Sequence, residues 1–204
     1  MLLLDTEIKQ KTKRKKIPKA LIYEMKDGRP IYYRDYKKVI AGEKSLEEVM
    51  GSSFLQAKII MIILKILFQK LDNKKYEILG NEIGYKWAPK SWRNLDIAIF
   101  EKDKILKETI DNHYIKTPPE VVIEVDTKAD LTKYGDILNY MKEKIQDLLD
   151  SGVKKVIWFT TLDKKVMIAE ANKPWLIDNW DNNIKIIDEI SINLGKLLKI
   201  EGIE

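Results

Sequence analysis

Two carboxylates stand in segments whose other residues call for burial. Glu124 lies in Val121-Val122-Ile123-Glu124-Val125, and Asp96 in Leu95-Asp96-Ile97-Ala98-Ile99-Phe100. Both segments read as strands from their density of β-branched and apolar residues. An acid inside an apolar strand is costly unless it is paired or holds a cation. Side chains alternate along a strand, so Val122, Glu124 and Asp126 are expected to share one face. If the two strands belong to one sheet, Asp96 and Glu124 can meet and form a hard-oxygen site of the kind that magnesium or manganese takes. The same residues are compatible with two plainer arrangements. Each acid can pair with one of the chain's many lysines, or the two can serve a metal hydrolase that acts on other substrates.

The segment after Glu124 supplies amines. From Leu131 to Ser151 the apolar residues Ile137, Leu138, Met141, Ile145, Leu148 and Leu149 form one helical stripe. At about 100° per residue, Lys142 and Lys144 fall on opposite rims of that stripe, and either can lean toward the sheet. Lys128, just past the strand, is a third candidate. A lysine in such a place is most often one whose stem packs while its amine stays in water.

The elements that must position these groups follow from local signals. Ala20 to Met25 and Ile31 to Tyr33, around Lys26-Asp27-Gly28-Arg29, predict an N-terminal β-hairpin. Tyr36 to Ala41 predicts a short helix ending at Gly42. Ser52 or Ser53 caps a long helix running to about Leu71. Tyr76 to Leu79, Glu82 to Trp87 and Leu95 to Phe100 read as strands. Pro118-Pro119 breaks the chain before the strand Glu120 to Asp126, and Gly152 ends the helix that follows. Lys155 to Phe159 and Lys165 to Ala169 predict a hairpin, Ile184 to Ile187 a further strand, and Ile190 to Ile200 a closing helix. Strands interleaved with helices on this pattern predict an α/β (α+β) fold, a mixed sheet between helical layers.

Composition narrows the chemistry. The 204 residues suit one domain, with residues 1–19 as a basic, flexible tail and 20–204 as the folded unit. The absence of cysteine excludes disulfides and thiolate metal sites and favours a cytoplasmic setting. A single histidine, His113, rules out a multi-histidine zinc site. A net charge of +5 permits attraction to phosphate polyanions, and the tail carries Lys9, Lys11, Lys13, Arg14, Lys15 and Lys16. The greasiest stretch, Ile59 to Leu64, is bracketed by Lys58 and Lys65 and is too short to span a membrane.

Three segments together resemble the Uma-type restriction endonuclease family, a branch of the PD-(D/E)xK nuclease superfamily, over about Gly51 to Phe159. Leu95-Asp96-Ile97-Ala98-Ile99 is similar to the family's Pro-Asp-apolar strand. Pro119-Glu120-Val121-Val122-Ile123-Glu124-Val125 is similar to its Pro-x-apolar-Glu-Val strand. Lys144 to Val153, followed by Ile157-Trp158, is similar to its lysine helix, Gly-Val step and tryptophan-bearing strand. The resemblance implies a restriction-endonuclease-like core in which Asp96 and Glu124 ligate Mg2+ or Mn2+, with the Val125 carbonyl as a further ligand. It also implies Lys144 as the active-site lysine, since register to Gly152 selects it over Lys142. The departures are local. Leu95 stands for the usual proline, Asp126 fills the slot of the superfamily's strand lysine, and Thr127-Lys128 replaces Ser-Pro. Gln56 lies where relatives often carry a histidine. Asp126 is then an extra ligand or a close neighbour, and Lys128 an alternative lysine.

The implied activity is metal-dependent hydrolysis of phosphodiesters, with DNA as the expected partner and a homodimer as the expected way to reach both strands. Lys144 would position or help deprotonate the attacking water, or neutralise charge on the phosphate. Lys90, Arg93 and Lys128 would hold the phosphate backbone, while Tyr85, Trp87 and Trp92 are candidates for stacking on bases. The alternatives are an inactive nucleic-acid-binding or protein-interaction module on the same fold, a metal-dependent phosphoesterase acting on small esters, and a structural domain whose strand acids are salt-bridged.

Overall fold

The computed structural model describes residues 17–203, so the basic run from Lys9 to Lys16 lies outside it. A 3-10 turn at Lys19–Leu21 leads into the hairpin β1 (Ile22–Lys26) and β2 (Arg29–Tyr32). Asp27 and Gly28 carry φ of 49° and 75°, the positive values a tight two-residue hairpin turn uses. Helix α1 (Tyr36–Ala41) stops at Gly42, whose φ of 77° glycine adopts without the steric cost of a Cβ. A helix absent from the sequence reading follows, α2 (Leu46–Met50), started by a capping box in which Ser45 and Glu48 satisfy each other's backbone N–H. Helix α3 (Phe54–Lys70) begins where Ser53 accepts the Gln56 N–H, and it buries Ile59, Ile62, Ile63 and Leu67.

The two strands expected at 76–79 and 82–87 are one, β3 (Tyr76–Ala88), bent by a bulge between Gly80 and Ile83. It pairs along β4 (Ser91–Glu101), and the short helix α4 (Lys102–Ile105) follows. Strand β5 (Val121–Val125) lies between β4, antiparallel to it, and β6 (Lys155–Thr160), parallel to it. The parallel pair requires a crossover, which α5 (Ile137–Asp150) provides. The helix expected from Leu131 starts later. Leu131–Lys133 is a lone 3-10 turn, Gly135 breaks it at φ 79°, and Asp136 caps α5 by accepting the Asn139 N–H. Leu138 consequently points outward, and Tyr140 and Lys144 join Met141, Ile145 and Leu148 on the buried face.

Strands β7 (Lys165–Glu170) and β8 (Leu176–Asn179) complete the sheet, with order β2-β1-β4-β5-β6-β7-β8 and β3 on β4. The closing helix also starts later than the sequence suggests. Ile190–Ile192 is strand β10, paired with β9 (Ile184–Ile187) in a separate small sheet, and α6 (Leu194–Ile200) begins after the Asn193 cap. Two cores result. One joins α3, α6 and Trp180 to Ile97, Ile99, Ile123 and Val125, and the other joins the hairpin and α5 to Ala98, Phe100, Val122 and Trp158. This is the expected mixed sheet flanked by helices, with an N-terminal hairpin at its edge, and its pairing proves largely antiparallel. Among the described residues, no helix is long and apolar enough to cross a membrane.

Candidate active site

The register that pairs Ile97 with Ile123 and Ala98 with Val122 continues one rung further to set Asp96 opposite Glu124. Directly opposed residues project to the same side. Asp96 is 6% exposed and Glu124 is 1% exposed. Backbone pairing between β4 and β5 has stopped at this rung, and the Val125 N–H donates to Asp96 Oδ2 at 2.8 Å. The Val125 carbonyl accepts from Gln56 Nε2 at 2.7 Å, which ties the start of α3 to the end of β5.

Lys144 comes in from α5, fully buried, whereas Lys142 is exposed. Its ammonium donates to the Asn94 carbonyl at 2.7 Å and lies 2.9 Å from Glu24 Oε1 and 3.0 Å from Glu124 Oε2. Three acceptors match its three N–H bonds, and the Trp158 ring lies 5.3 Å from the charge. The structure therefore brings Asp96, Glu124, Lys144 and Gln56 together.

Sequence reasoning missed Glu24. This acid is fully buried in β1, and it accepts from Arg93 Nη1 at 2.8 Å, the Tyr140 hydroxyl at 2.7 Å and the Asn94 N–H at 3.2 Å, in addition to Lys144. The signal was present in Tyr23-Glu24-Met25, a third acid inside an apolar strand. Arg93, expected at the phosphate backbone, is instead fully buried. It also bonds Glu143 at 3.1 Å and Asp147 at 2.5 Å, so it is committed to holding α5 on the sheet. Tyr85 is likewise a core residue, donating to the Ser151 carbonyl at 3.2 Å, and Trp92 packs edge-on against Tyr114.

The three buried acids differ in charge balance. Burial pushes Asp96 up to about 6, against the pull of the Val125 N–H and Lys144. Burial also drives Glu124 well above the ordinary carboxylate range. Lys144 opposes that rise, while Asp96 and Glu24 add to it. Glu24 is equally buried, yet Lys144, Arg93 and Tyr140 outweigh its desolvation and hold it below its usual value. Burial would lower Lys144, but Glu124 and Glu24 prevail and keep it an ammonium.

Glu124 Oε1 is buried and has no hydrogen-bond partner. An unmade buried hydrogen bond costs about 1–3 kcal/mol, so this atom is short of a positive neighbour. The Asp96 carboxylate, bonded to the Val125 N–H, and the second lone pair of the Val125 carbonyl are the oxygens that could join it around a hard divalent cation. Among the described residues, no three His, Asp or Glu side chains converge as a ready-made cage. Such an ion would thus keep water or substrate oxygens, as magnesium commonly does.

Of two expected neighbours, Asp126 is placed differently, whereas Lys128 lies beside Asp96. Strand β5 ends at Val125, and Asp126 turns away at φ 54°, which breaks the alternation that would have put it on the Glu124 face. Its carboxylate accepts the Thr161 N–H at 2.8 Å and the Thr161 hydroxyl at 2.7 Å. Lys128 is buried and paired with Glu82 from the β3 bulge. With Asp96, these two residues line a cleft of about 430 Å³ walled by α3. A larger, more apolar groove of about 660 Å³ runs along β3 past Leu79, Ile105, Ile110 and Tyr114. None of the clustered carboxylates lines it, whereas Asp96 lines the smaller cleft.

No family model matches the chain, and no curated protein matches it. Among solved structures, the chain is similar to a protein from Anabaena variabilis described as a "putative nuclease belonging to DUF820". The TM-score is 0.55 with 14% sequence identity, over 71% of this chain and 78% of that one. At such low identity the likeness is one of fold: this chain shares a mixed-sheet scaffold with that protein.

Proposed function

We propose that this chain is a metal-dependent endonuclease that hydrolyses phosphodiester bonds in DNA, within the Uma-type branch of the PD-(D/E)xK superfamily. The observation that carries the reading is the bare Glu124 Oε1, buried one rung across from Asp96 and beside an ammonium already shared by two glutamates. The sheet scaffold shared with a protein described as a "putative nuclease" supports it.

Asp96, Glu124 and the Val125 carbonyl would hold Mg2+ or Mn2+. Such an ion, when bound, lowers the pKa of a coordinated water and draws charge from a phosphate oxygen. The chain's own groups prepare that site. Gln56 fixes the Val125 carbonyl, and the Val125 N–H fixes Asp96. Lys144 holds Glu124 by Oε2 and leaves Oε1 without a partner. Flanked by Glu24 and Glu124, Lys144 stays protonated. Its role is therefore to orient Glu124 and offset the charge that develops on the phosphate, rather than to take a proton from water. Burial raises the pKa of both Asp96 and Glu124, so binding of the ion is linked to proton release.

The test is cleavage of supercoiled plasmid by purified protein with Mg2+ or Mn2+. Nicking by the wild type and none by a folded Asp96→Ala variant is the expected result. Equal nicking by both would overturn the assignment. Turnover of a small chromogenic phosphate ester without DNA cleavage would point to a phosphoesterase instead.

A further inference from the structure

The mouth of the cleft above Asp96 carries an ion pair that the chemistry so far leaves unused. The Lys128 side chain is 8% exposed, and its ammonium is held by Glu82, which is 28% exposed. Lysine ion pairs usually stay in water; this one sits on the cleft wall with Asp96, Asn81, Ile60 and Leu64. The backbone is distorted to make it. Asn81 and Glu82, consecutive in the β3 bulge, carry φ of 65° and 54°, a left-handed conformation that glutamate rarely takes. Bulges beside active sites serve to re-aim a side chain. Lys128 is fixed from the other direction: its carbonyl accepts the Arg34 N–H at 2.6 Å, Ala129 bridges to Tyr33, and Asp126 is anchored to Thr161. Both charges reach Asp96, Glu82 raising its pKa and Lys128 lowering it.

We propose that Lys128 is a phosphate-binding residue of this cleft and that Glu82 is a positioning residue, an internal stand-in for the phosphate that a polyanionic substrate displaces. This rests on the nuclease reading of the same cleft. A buried ammonium needs an anion beside it. With the cleft free, Glu82 supplies one. A phosphodiester oxygen arriving next to Asp96 offers another, and Glu82, the more exposed partner on an edge-strand bulge, turns to solvent while Lys128 stays. A neutral ligand has no charge with which to replace Glu82, so the pair favours phosphate polyanions over uncharged molecules of similar shape.

The experiment measures binding apart from cleavage. A fluorescent DNA duplex is titrated without divalent metal against the Asp96→Asn protein, at several salt concentrations. Adding Glu82→Gln is expected to tighten Kd about five- to tenfold and to steepen the salt dependence by about one released counterion. Adding Lys128→Met is expected to weaken Kd and flatten that dependence by the same amount. In the presence of Lys128→Met, Glu82→Gln is expected to lose most of its effect. Lys128→Arg keeps the charge and is expected to retain affinity, and it carries the comparison if the methionine variant does not fold. Unchanged affinity and salt slope for Glu82→Gln, or tightening that persists without Lys128, would overturn the proposal. Its failure is separable from that of the nuclease reading. Intact cleavage with unmoved affinities sinks the proposal alone, whereas the expected affinity shifts in a protein that never cleaves sink the nuclease reading alone.

Discussion

Glu24 and Glu124 lie on either side of one ammonium, 2.9 and 3.0 Å from Lys144 and both withdrawn from solvent, yet they are treated oppositely by their surroundings. Glu24 receives four donors on its two oxygens and is stabilised as an anion. Glu124 receives one donor, leaves Oε1 bare and favours the neutral acid. A fully compensated buried acid fastens elements together; here it clamps the hairpin, β4 and α5. An under-compensated one keeps a cost that a cation can relieve. The same burial in the same core thus separates a structural carboxylate from one suited to ligation.

The comparison can be broken in order of effect. Removing either proposed ligand, by Asp96→Ala or Glu124→Ala, should lower the rate of DNA cleavage about a thousandfold, equivalent to about 4 kcal/mol of lost charge stabilisation, as should a chelator. Single-turnover assays check this, and cleavage within tenfold of wild type by either variant would put the metal elsewhere.

On the compensated side the loss is in stability. Arg93→Met leaves Glu24, Glu143 and Asp147 short of their shared guanidinium and should cost about 3–5 kcal/mol in urea denaturation. Glu124→Gln, at equal burial, should cost little or even stabilise. Comparable losses from both variants would erase the distinction.

A smaller effect concerns pH. Asp96 has its pKa raised from 3.8 to about 6 in the folded protein, so between these values the folded state holds a proton that the unfolded state has lost. Stability from this group is therefore greatest at the acid end and declines as pH rises through that window. Asp96→Asn keeps an acceptor for the Val125 N–H and should flatten the decline, gaining on the order of 1 kcal/mol at neutral pH, about 2–4 °C in Tm. Thermal scans at pH 4 and pH 7 would detect it, and a parallel decline in both proteins would contradict it. The smallest effect expected is that of Asp126→Ala, which loses the two Thr161 bonds, about 1 kcal/mol in all, and leaves cleavage within about threefold. A loss of a hundredfold would return Asp126 to the ion.

Much of this was legible in the sequence, for particular reasons. Glu124 and Asp96 stood out because an acid contradicts the apolar strand around it, and Gly42, Ser53 and Pro118-Pro119 marked boundaries through backbone chemistry local to each. What escaped depends on contacts distant in sequence. Glu24 is 120 residues from Lys144 in effect and only the folded sheet brings them together, so its apolar setting read as hairpin alone. Arg93 looked like a surface cation because nothing near it in the chain announces Glu24 or Asp147. Asp126 was misplaced by assuming that alternation continues past Val125, where the backbone turns left-handed. Periodicity placed Lys142 and Lys144 on equal terms, and packing alone buries the second.

The most direct measurement is a Mn2+ titration followed by electron paramagnetic resonance, which reports free and bound ion separately. The account predicts one site per chain in the wild type, weakened at least tenfold in Glu124→Gln and Asp96→Asn and preserved in Asp126→Ala. Absence of binding by the wild type, or undiminished binding by the Glu124 and Asp96 variants, would contradict the claim that the bare glutamate oxygen and its partner across the rung hold a metal.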